Sequence, residues 1–270
     1  MNDKLKILVE KANSGDKKSL EKVVIEIKDL VYNLALKMLL IPEEAKDATQ
    51  EILIKVITHL GTFNYKSQFK TWVYRVATNY LLTHKEKKSL VFSMSFDEYS
   101  ILIDSCQSDV VHYTQNEGEL SLLEEEVKVS CTQGLLMCLN SVDRMVYVLS
   151  EILEFDSIEG AKILDITPEN FRKKLSRARA KIRNFLNNKC GLVNSNNPCR
   201  CSKKIDFLIN QDIINPKELR FAQHSKRSID LISKIKLLED TVSVYQTVPN
   251  FKTPEAIIKE IQKVIHAVNF

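Results

Sequence analysis

A chain of 270 residues with 44% hydrophobic, 27% charged and 7% aromatic content has a globular composition and, at roughly 150 residues per domain, enough length for about two domains. Six glycines and six prolines are too few for glycine-paved phosphate loops or turn-dense β-sandwiches, so an all-α fold is expected. No stretch approaches the roughly 18 to 20 apolar residues that span a bilayer, and the opening residues Met1 to Lys6 lack the apolar core of a signal peptide. A cytoplasmic protein without a membrane partner is expected, and its six cysteines read as free thiols or metal ligands rather than disulfides.

The net charge of +4 says little as a total, but its distribution is uneven. From Thr62 to Lys88 the basic residues Lys66, Lys70, Arg75, Lys85, Lys87 and Lys88 face only Glu86. From Ser89 to Leu136 nine acids stand against Lys128 alone, and from Pro168 to Leu186 seven Arg and Lys residues stand against Glu169. Two basic segments joined by an acidic stretch suggest two binding modules and a tether. The expected sections are residues 1–90, an acidic flexible linker at 91–134, a second module at 135–187, and an extension at 188–270.

Three helices are legible in the first section. Gly15 and Asp16 set up a cap, after which Leu20, Val23, Val24, Ile27, Leu30, Val31 and Leu34 recur at helical spacing. A second helix starts at Pro42, Glu43 and Glu44, where proline suits the first helical position and acids complement the dipole; Gly61 is expected to end it. Its apolar stripe is Ala45, Ala48, Ile52, Val56 and Leu60. A third helix turns Phe69, Trp72, Val73, Val76 and Tyr80 inward and is expected to expose Lys70, Tyr74, Arg75, Thr78 and Asn79. Beside it lies a polar loop with aromatics, Phe63, Asn64, Tyr65, Lys66 and Ser67. Aromatic faces, amides and cations together can hold unpaired bases, stacking alone being worth about 1–3 kcal/mol per base.

The module at 135–187 reads as a helix-turn-helix. Ile158, Ala161, Ile163 and Leu164 are followed by a break at Asp165, Ile166 and Thr167, and then by Pro168 and Glu169 in a first turn capped by Thr167. On the second helix Phe171, Leu175, Ala178 and Ile182 share one face, while Arg172, Lys173, Arg177 and Lys181 point elsewhere and can reach phosphates and base edges. A merely solvated basic face is the competing reading.

These residues together resemble the sigma factors of bacterial RNA polymerase, in particular the small extracytoplasmic-function (ECF) type of the sigma-70 family. The run Pro42-Glu-Glu-Ala-Lys-Asp-Ala-Thr-Gln-Glu-Ile-Leu-Ile-Lys-Val is similar to the family's region 2 helix, and Phe69-Lys-Thr-Trp-Val-Tyr-Arg-Val-Ala-Thr-Asn continues that region. Asp143-Arg-Met-Val-Tyr-Val-Leu and the residues from Ser157 to Arg183 are similar to region 4. There are two departures: Gly160 stands where the family has a large aliphatic residue, which should loosen the supporting helix, and Asp165 replaces the turn glycine.

The resemblance implies a non-enzymatic subunit that binds core RNA polymerase at the β′ clamp and β flap, recognises the −35 and −10 promoter elements and assists melting. It places Asp47, Gln50 and Glu51 on the β′ coiled coil. It places Phe63, Asn64, Tyr65, Lys66, Ser67, Lys70, Tyr74, Arg75 and Asn79 on the −10 strand, and Pro168, Glu169, Asn170, Arg172, Lys173 and Arg177 on the −35 duplex. An anti-sigma partner is compatible with the reading. No cofactor is required, and no HExxH, Walker or GxSxG motif suggests catalysis.

The extension carries Cys190, Cys199 and Cys201, three thiols of a tetrahedral zinc or other metal site with the fourth ligand open, His224 being one candidate. Amphipathic stripes follow at Ile229, Ile232, Ile235 and Leu238, and at Ile257, Ile258, Ile261, Val264, Ile265 and Val268. Three other readings stay open: a stand-alone helix-turn-helix regulator, a metal- or redox-sensing interaction protein acting through the cysteines, and, ranked last, a nucleic-acid enzyme.

Overall fold

The structure, a computed structural model, describes residues 3–39, 41–83, 94–105, 108, 112–222 and 250–267. His224 and the stripe from Ile229 to Leu238 lie outside the described residues. Among the described residues the regular structure is helical, apart from an isolated bridge between Cys190 and Cys199. Two compact units emerge, each discontinuous in sequence: residues 1–86, 155–171 and 250–270, and residues 87–154 and 172–249.

In the first unit a helix α1 (Asp3–Asn13), not among the three expected from the sequence, buries Leu5, Val9 and Ala12. Gly15 then takes a positive φ of 90°, and Asp16 accepts from the backbone N–H of Lys18 at 3.1 Å and the Ser19 hydroxyl at 2.6 Å. That cap starts α2 (Lys17–Leu39), whose stripe from Leu20 to Leu34 is buried except for the half-buried Leu30. Helix α3 (Pro42–Thr58) has Pro42 in its first turn with Glu43 and Glu44, as expected. It ends a turn before Gly61, which sits inside a 3-10 turn, Leu60–Thr62. The tighter winding puts residues three apart on one side, so both Leu60 and Phe63 turn inward.

Helix α4 (Phe69–Thr83) packs against α2, α3 and also α8 (Ser157–Leu164). Asp156 caps α8, accepting from the N–H groups of Ile158 and Glu159 at 2.8 Å each. Asp165 closes it in the left-handed conformation (φ 56°, ψ 43°), one that aspartate visits more readily than most residues and that suits a position where glycine is usual. Gly160 does not loosen α8. A Cβ there would lie 2.5 Å from the ring of Phe171, so that fully buried ring fills the space the missing side chain leaves. The last described helix, α11 (Glu255–Ala267), lies on α2 and α3 with Ile257, Ile261 and Ile265 buried.

The second unit corrects the expectation of a flexible linker at 91–134. Helices α5 (Phe96–Ser105) and α6 (Glu117–Met137) occupy most of its described residues, and α6 runs past the expected boundary. Asn116 caps α6, accepting from Gly118 N–H at 3.0 Å and Glu119 N–H at 3.1 Å. Leu123 and Val127 join Ile205, Ile214, Leu219 and Ala222 in a core shared with the extension. The acidity that suggested a solvated tether is partly used inside. The buried Glu126 carboxylate accepts from the backbone N–H groups of Arg220, Phe221 and Ala222 at 2.9, 2.9 and 2.8 Å, and buried Glu125 pairs with Lys128 at 2.9 Å. A carboxylate holding three backbone donors fixes that chain segment rather than solubilising it.

Asn140 caps α7 (Ser141–Tyr147), which continues as a π-helical turn, Val148–Ile152. Buried Arg144 donates to the carbonyls of Leu136 at 3.1 Å and Leu139 at 3.1 Å, fastening α7 to the end of α6. Helix α9 (Pro168–Lys189) begins in the first unit and has its body in the second; a short α10 (Ile205–Asn210) follows the cysteine loop.

Candidate nucleic-acid and partner interfaces

On α3, Asp47, Gln50 and Glu51 fall three and four residues apart on one face, opposite the buried Ala45, Ala48 and Ile52. Asp47 and Glu51 are exposed, but Gln50 is half-buried and donates from Nε2 to Glu260 Oε2 of α11 at 2.9 Å. Glu260 is a neighbour that the sequence could not reveal. Its stripe was legible, but its seat on α3 depends on tertiary packing across more than two hundred residues.

The loop and α4 divide into supports and presented groups. Phe63, expected to face nucleic acid, is buried 4.7 Å from Tyr65, 5.3 Å from Phe69 and 5.7 Å from Trp72 between ring centroids. Each such aromatic pair adds about 0.5–1.5 kcal/mol beyond its buried area, so Phe63 anchors the loop. Tyr65 is exposed and held at a positive φ of 60°, and Asn64, Lys66, Ser67 and Lys70 are exposed around it. Tyr74 and Thr78, expected outside, are buried because α4 meets α8 as well as α2 and α3. The Tyr74 ring stands edge-on to Phe155 at 5.0 Å, and burial pushes its hydroxyl well above the usual tyrosine pKa. Arg75 and Asn79 are exposed, with Arg75 3.4 Å from Asp165.

The helix-turn-helix forms at the expected residues. Helix α8 ends at Leu164 and α9 starts at Pro168, with the Thr167 hydroxyl accepting from Asn170 N–H at 3.2 Å. Phe171, Leu175, Ala178 and Ile182 are all buried, while Glu169, Asn170, Arg172, Lys173, Arg177 and Lys181 are exposed and Pro168 is half-buried. Lys174 and Arg179 turn toward acids of the preceding helices. Lys174 lies 3.6 Å from Asp143, and Arg179 grips one oxygen of the buried Glu151 through Nε at 2.9 Å and a terminal nitrogen at 2.5 Å. The basic run is therefore sorted into an inward-tied pair and an outward stripe.

The backbones of Cys190 and Cys199 form an isolated β-bridge, their thiols free, within a tightly bonded loop where Arg200 donates to the carbonyls of Ser195, Asn197 and Cys199. Burial pushes the Cys131 thiol up to about 12 and the Cys138 thiol up to about 11, and raises Cys199 and Cys201 as well. Among the described residues no three His, Cys, Asp or Glu side chains are arranged to hold a metal ion, so Cys190, Cys199 and Cys201 do not fit a zinc centre as they stand.

Comparison with known proteins settles the class. The family descriptions "Sigma-70 region 2" and "Sigma-70, region 4" match residues 24–90 and 131–182. The ECF RNA polymerase sigma factor SigW of Bacillus subtilis is 28% identical over 67% of this chain and 96% of its own length. The chain belongs to the sigma-70 family, ECF type. The ECF RNA polymerase sigma-E factor of Escherichia coli (strain K12) is 27% identical over 66% of this chain and 92% of its own. The solved structure of CnrH in complex with the cytosolic domain of CnrY is 17% identical, with a TM-score of 0.47, covering 67% of this chain and 96% of that one.

As a sigma factor the chain binds core RNA polymerase, recognises −35 and −10 promoter elements and assists melting, without a required cofactor. The region 4 match begins inside α6, so the helix that replaces the expected linker already belongs in part to the DNA-reading module. Among the described residues no helix is long and apolar enough to cross a membrane.

Proposed function

We propose that the sigma factor divides its work among three surfaces. The α3 face with Asp47, Gln50 and Glu51 docks on the coiled coil of the β′ clamp. Asn64, Tyr65, Lys66, Ser67, Lys70, Arg75 and Asn79 hold the unpaired −10 strand by stacking, amide contacts and charge, with Phe63 and Tyr74 supporting them from within. Glu169, Asn170, Arg172, Lys173 and Arg177 read the −35 duplex from the start of α9, where Pro168 sets the first turn, and region 4 meets the β flap. The protein acts in the cytoplasm, where its polymerase is, and catalysis stays with the polymerase. An anti-sigma partner would act by covering the Asp47 face or the Arg172 stripe.

The observation that carries the proposal is the division on α9. Its whole apolar stripe is buried, and Arg172, Lys173, Arg177 and Lys181 form an exposed stripe of cations away from it. A stand-alone regulator would use that stripe alone and has no need of Asp47 and Glu51. Reconstituted transcription on fragmented genomic DNA, with core polymerase plus and minus this chain, tests the reading. Defined start sites that depend on the chain are expected, and they should vanish when Asp47→Lys and Glu51→Lys are combined. Unchanged starts in that double variant would overturn the α3 assignment.

A further inference from the structure

Residues 250–267 are fastened along the region 2 module at several points. Asp29 Oδ1 accepts from both the backbone N–H of Thr253 at 2.8 Å and its hydroxyl at 2.7 Å. Buried Asn33 makes a two-way pair with the Phe251 backbone, donating to its carbonyl at 2.7 Å and accepting from its N–H at 2.8 Å. Helix α11 then lays Ile257, Ile261 and Ile265 on α2 and α3. Its end is tied by Lys17 Nζ donating to the His266 carbonyl at 2.9 Å, and by His266 Nε2 at 3.2 Å from Glu21. In the middle stands Glu260, holding Gln50.

Two features distinguish this from an inseparable part of the bundle. The surface under α11 retains Asp29, Asn33 and Gln50, polar groups that water satisfies as well as the tail does, so uncovering them strands no buried donor or acceptor. The ties at Glu21, Glu260 and His266 also involve half-exposed or exposed side chains, whose bonds exchange readily with water. Position matters too. Packed helices lie about 8–10 Å apart, so a polymerase helix docked through Asp47, Gln50 and Glu51 meets α11 at the Gln50 amide. Glu260 itself occupies the Gln50 amide that the docked helix would meet.

We propose that residues 250–267 form a releasable cover that competes with core polymerase for the Gln50 edge of α3, so that the sigma factor carries its own brake. This rests on the placement of polymerase on the α3 face. A cover closed roughly 90% of the time weakens apparent affinity about tenfold, and displacing α11 is the step that activates the protein.

The test is equilibrium binding of the full-length chain to purified core polymerase. Ile261→Asp, which unseats α11, is expected to bind about tenfold tighter; Glu260→Ala, which cuts only the Gln50 tie, is expected to gain roughly two- to threefold on the same argument. A synthetic peptide of residues 250–267 added to the Ile261→Asp chain should reverse its gain. A folded Ile261→Asp chain that binds no tighter overturns the proposal; if circular dichroism shows it unfolded, Glu260→Ala decides, and no gain there overturns it. Asp47→Lys with Glu51→Lys separates the two readings. If that double variant still binds, the α3 assignment fails; if it is released while Ile261→Asp matches the parent, only the cover fails.

Discussion

The two helices proposed to face DNA, α4 and α9, look alike as sequences and behave differently as structures. Both are basic and amphipathic, yet on α9 every residue assigned to the buried face is buried, whereas on α4 two expected outward residues, Tyr74 and Thr78, are enclosed. On α4 the reason is close packing along several helices. Helix α4 meets α2, α3 and α8, so its buried arc is wider than one stripe, and a 3.6-residue period predicts only the stripe. A short helix wedged among three others cannot be read from a single stripe.

The largest effects should come from removing the aromatic anchor of each helix. Phe171 fills the space over Gly160, and Phe63 sits under the loop that leads into α4. Either substitution by alanine should cost about 3–5 kcal/mol in denaturant titrations, and Gly160→Leu should do comparable damage because the Phe171 ring has nowhere to go. A loss below roughly 1 kcal/mol at Phe63 would return it to the DNA-facing set.

Next in size is a buried charge of the region 2 bundle. Lys37 on α2 is buried, and desolvation lowers its pKa from 10.5 to about 8. Between those values the unfolded chain holds a proton that the folded chain has released, so stability should rise as pH climbs from 8 to 10.5, and the burial cost is fully felt below 8. The span corresponds to a cost on the order of 3 kcal/mol. Lys37→Met should remove the slope and raise stability at neutral pH; thermal melts that keep the slope in the methionine variant would count against this assignment.

What the sequence made legible follows the same line. The caps at Asp16 and Thr167, the Pro42 start, the left-handed turn at Asp165 and the α9 stripe are local chemistry, written within a few residues. What it hid is long-range. Glu126 is one acid in a run of three, and nothing in that run says it will hold the backbone at Arg220 to Ala222. Gln50 gives no sign of Glu260, nor Gly160 of Phe171, because a filled gap belongs to two segments at once.

Smaller effects should separate the two helices by function. Arg172→Ala with Arg177→Ala should weaken binding to a −35 duplex, with about 1–3 kcal/mol for each lost base contact and a salt dependence shallower by about one unit for each lost phosphate contact. Tyr65→Ala should leave that duplex affinity alone and cost about 1–3 kcal/mol in capture of a single-stranded −10 segment. Equal losses of both variants on both probes would erase the functional difference drawn between α4 with its loop and α9.

The smallest stability effect should be at Arg75, and its smallness is informative. Its ion pair with Asp165 joins side chains 47% and 80% exposed, and pairs in that setting contribute about 0–1 kcal/mol. Were Arg75 there to brace α4 against the turn after α8, Arg75→Ala and Asp165→Asn should lower stability alike and leave strand capture untouched. If Arg75 serves DNA, the two variants part company: Arg75→Ala melts within about 1 kcal/mol of the parent yet loses −10 strand affinity. Asp165→Asn, which removes a competing anion while keeping a residue that tolerates the left-handed turn, should hold the strand at least as well as the parent. Paired melting and strand-binding measurements on these two variants therefore decide whether the exposed cation of α4 belongs with the tied Arg179 or with the outward stripe of α9.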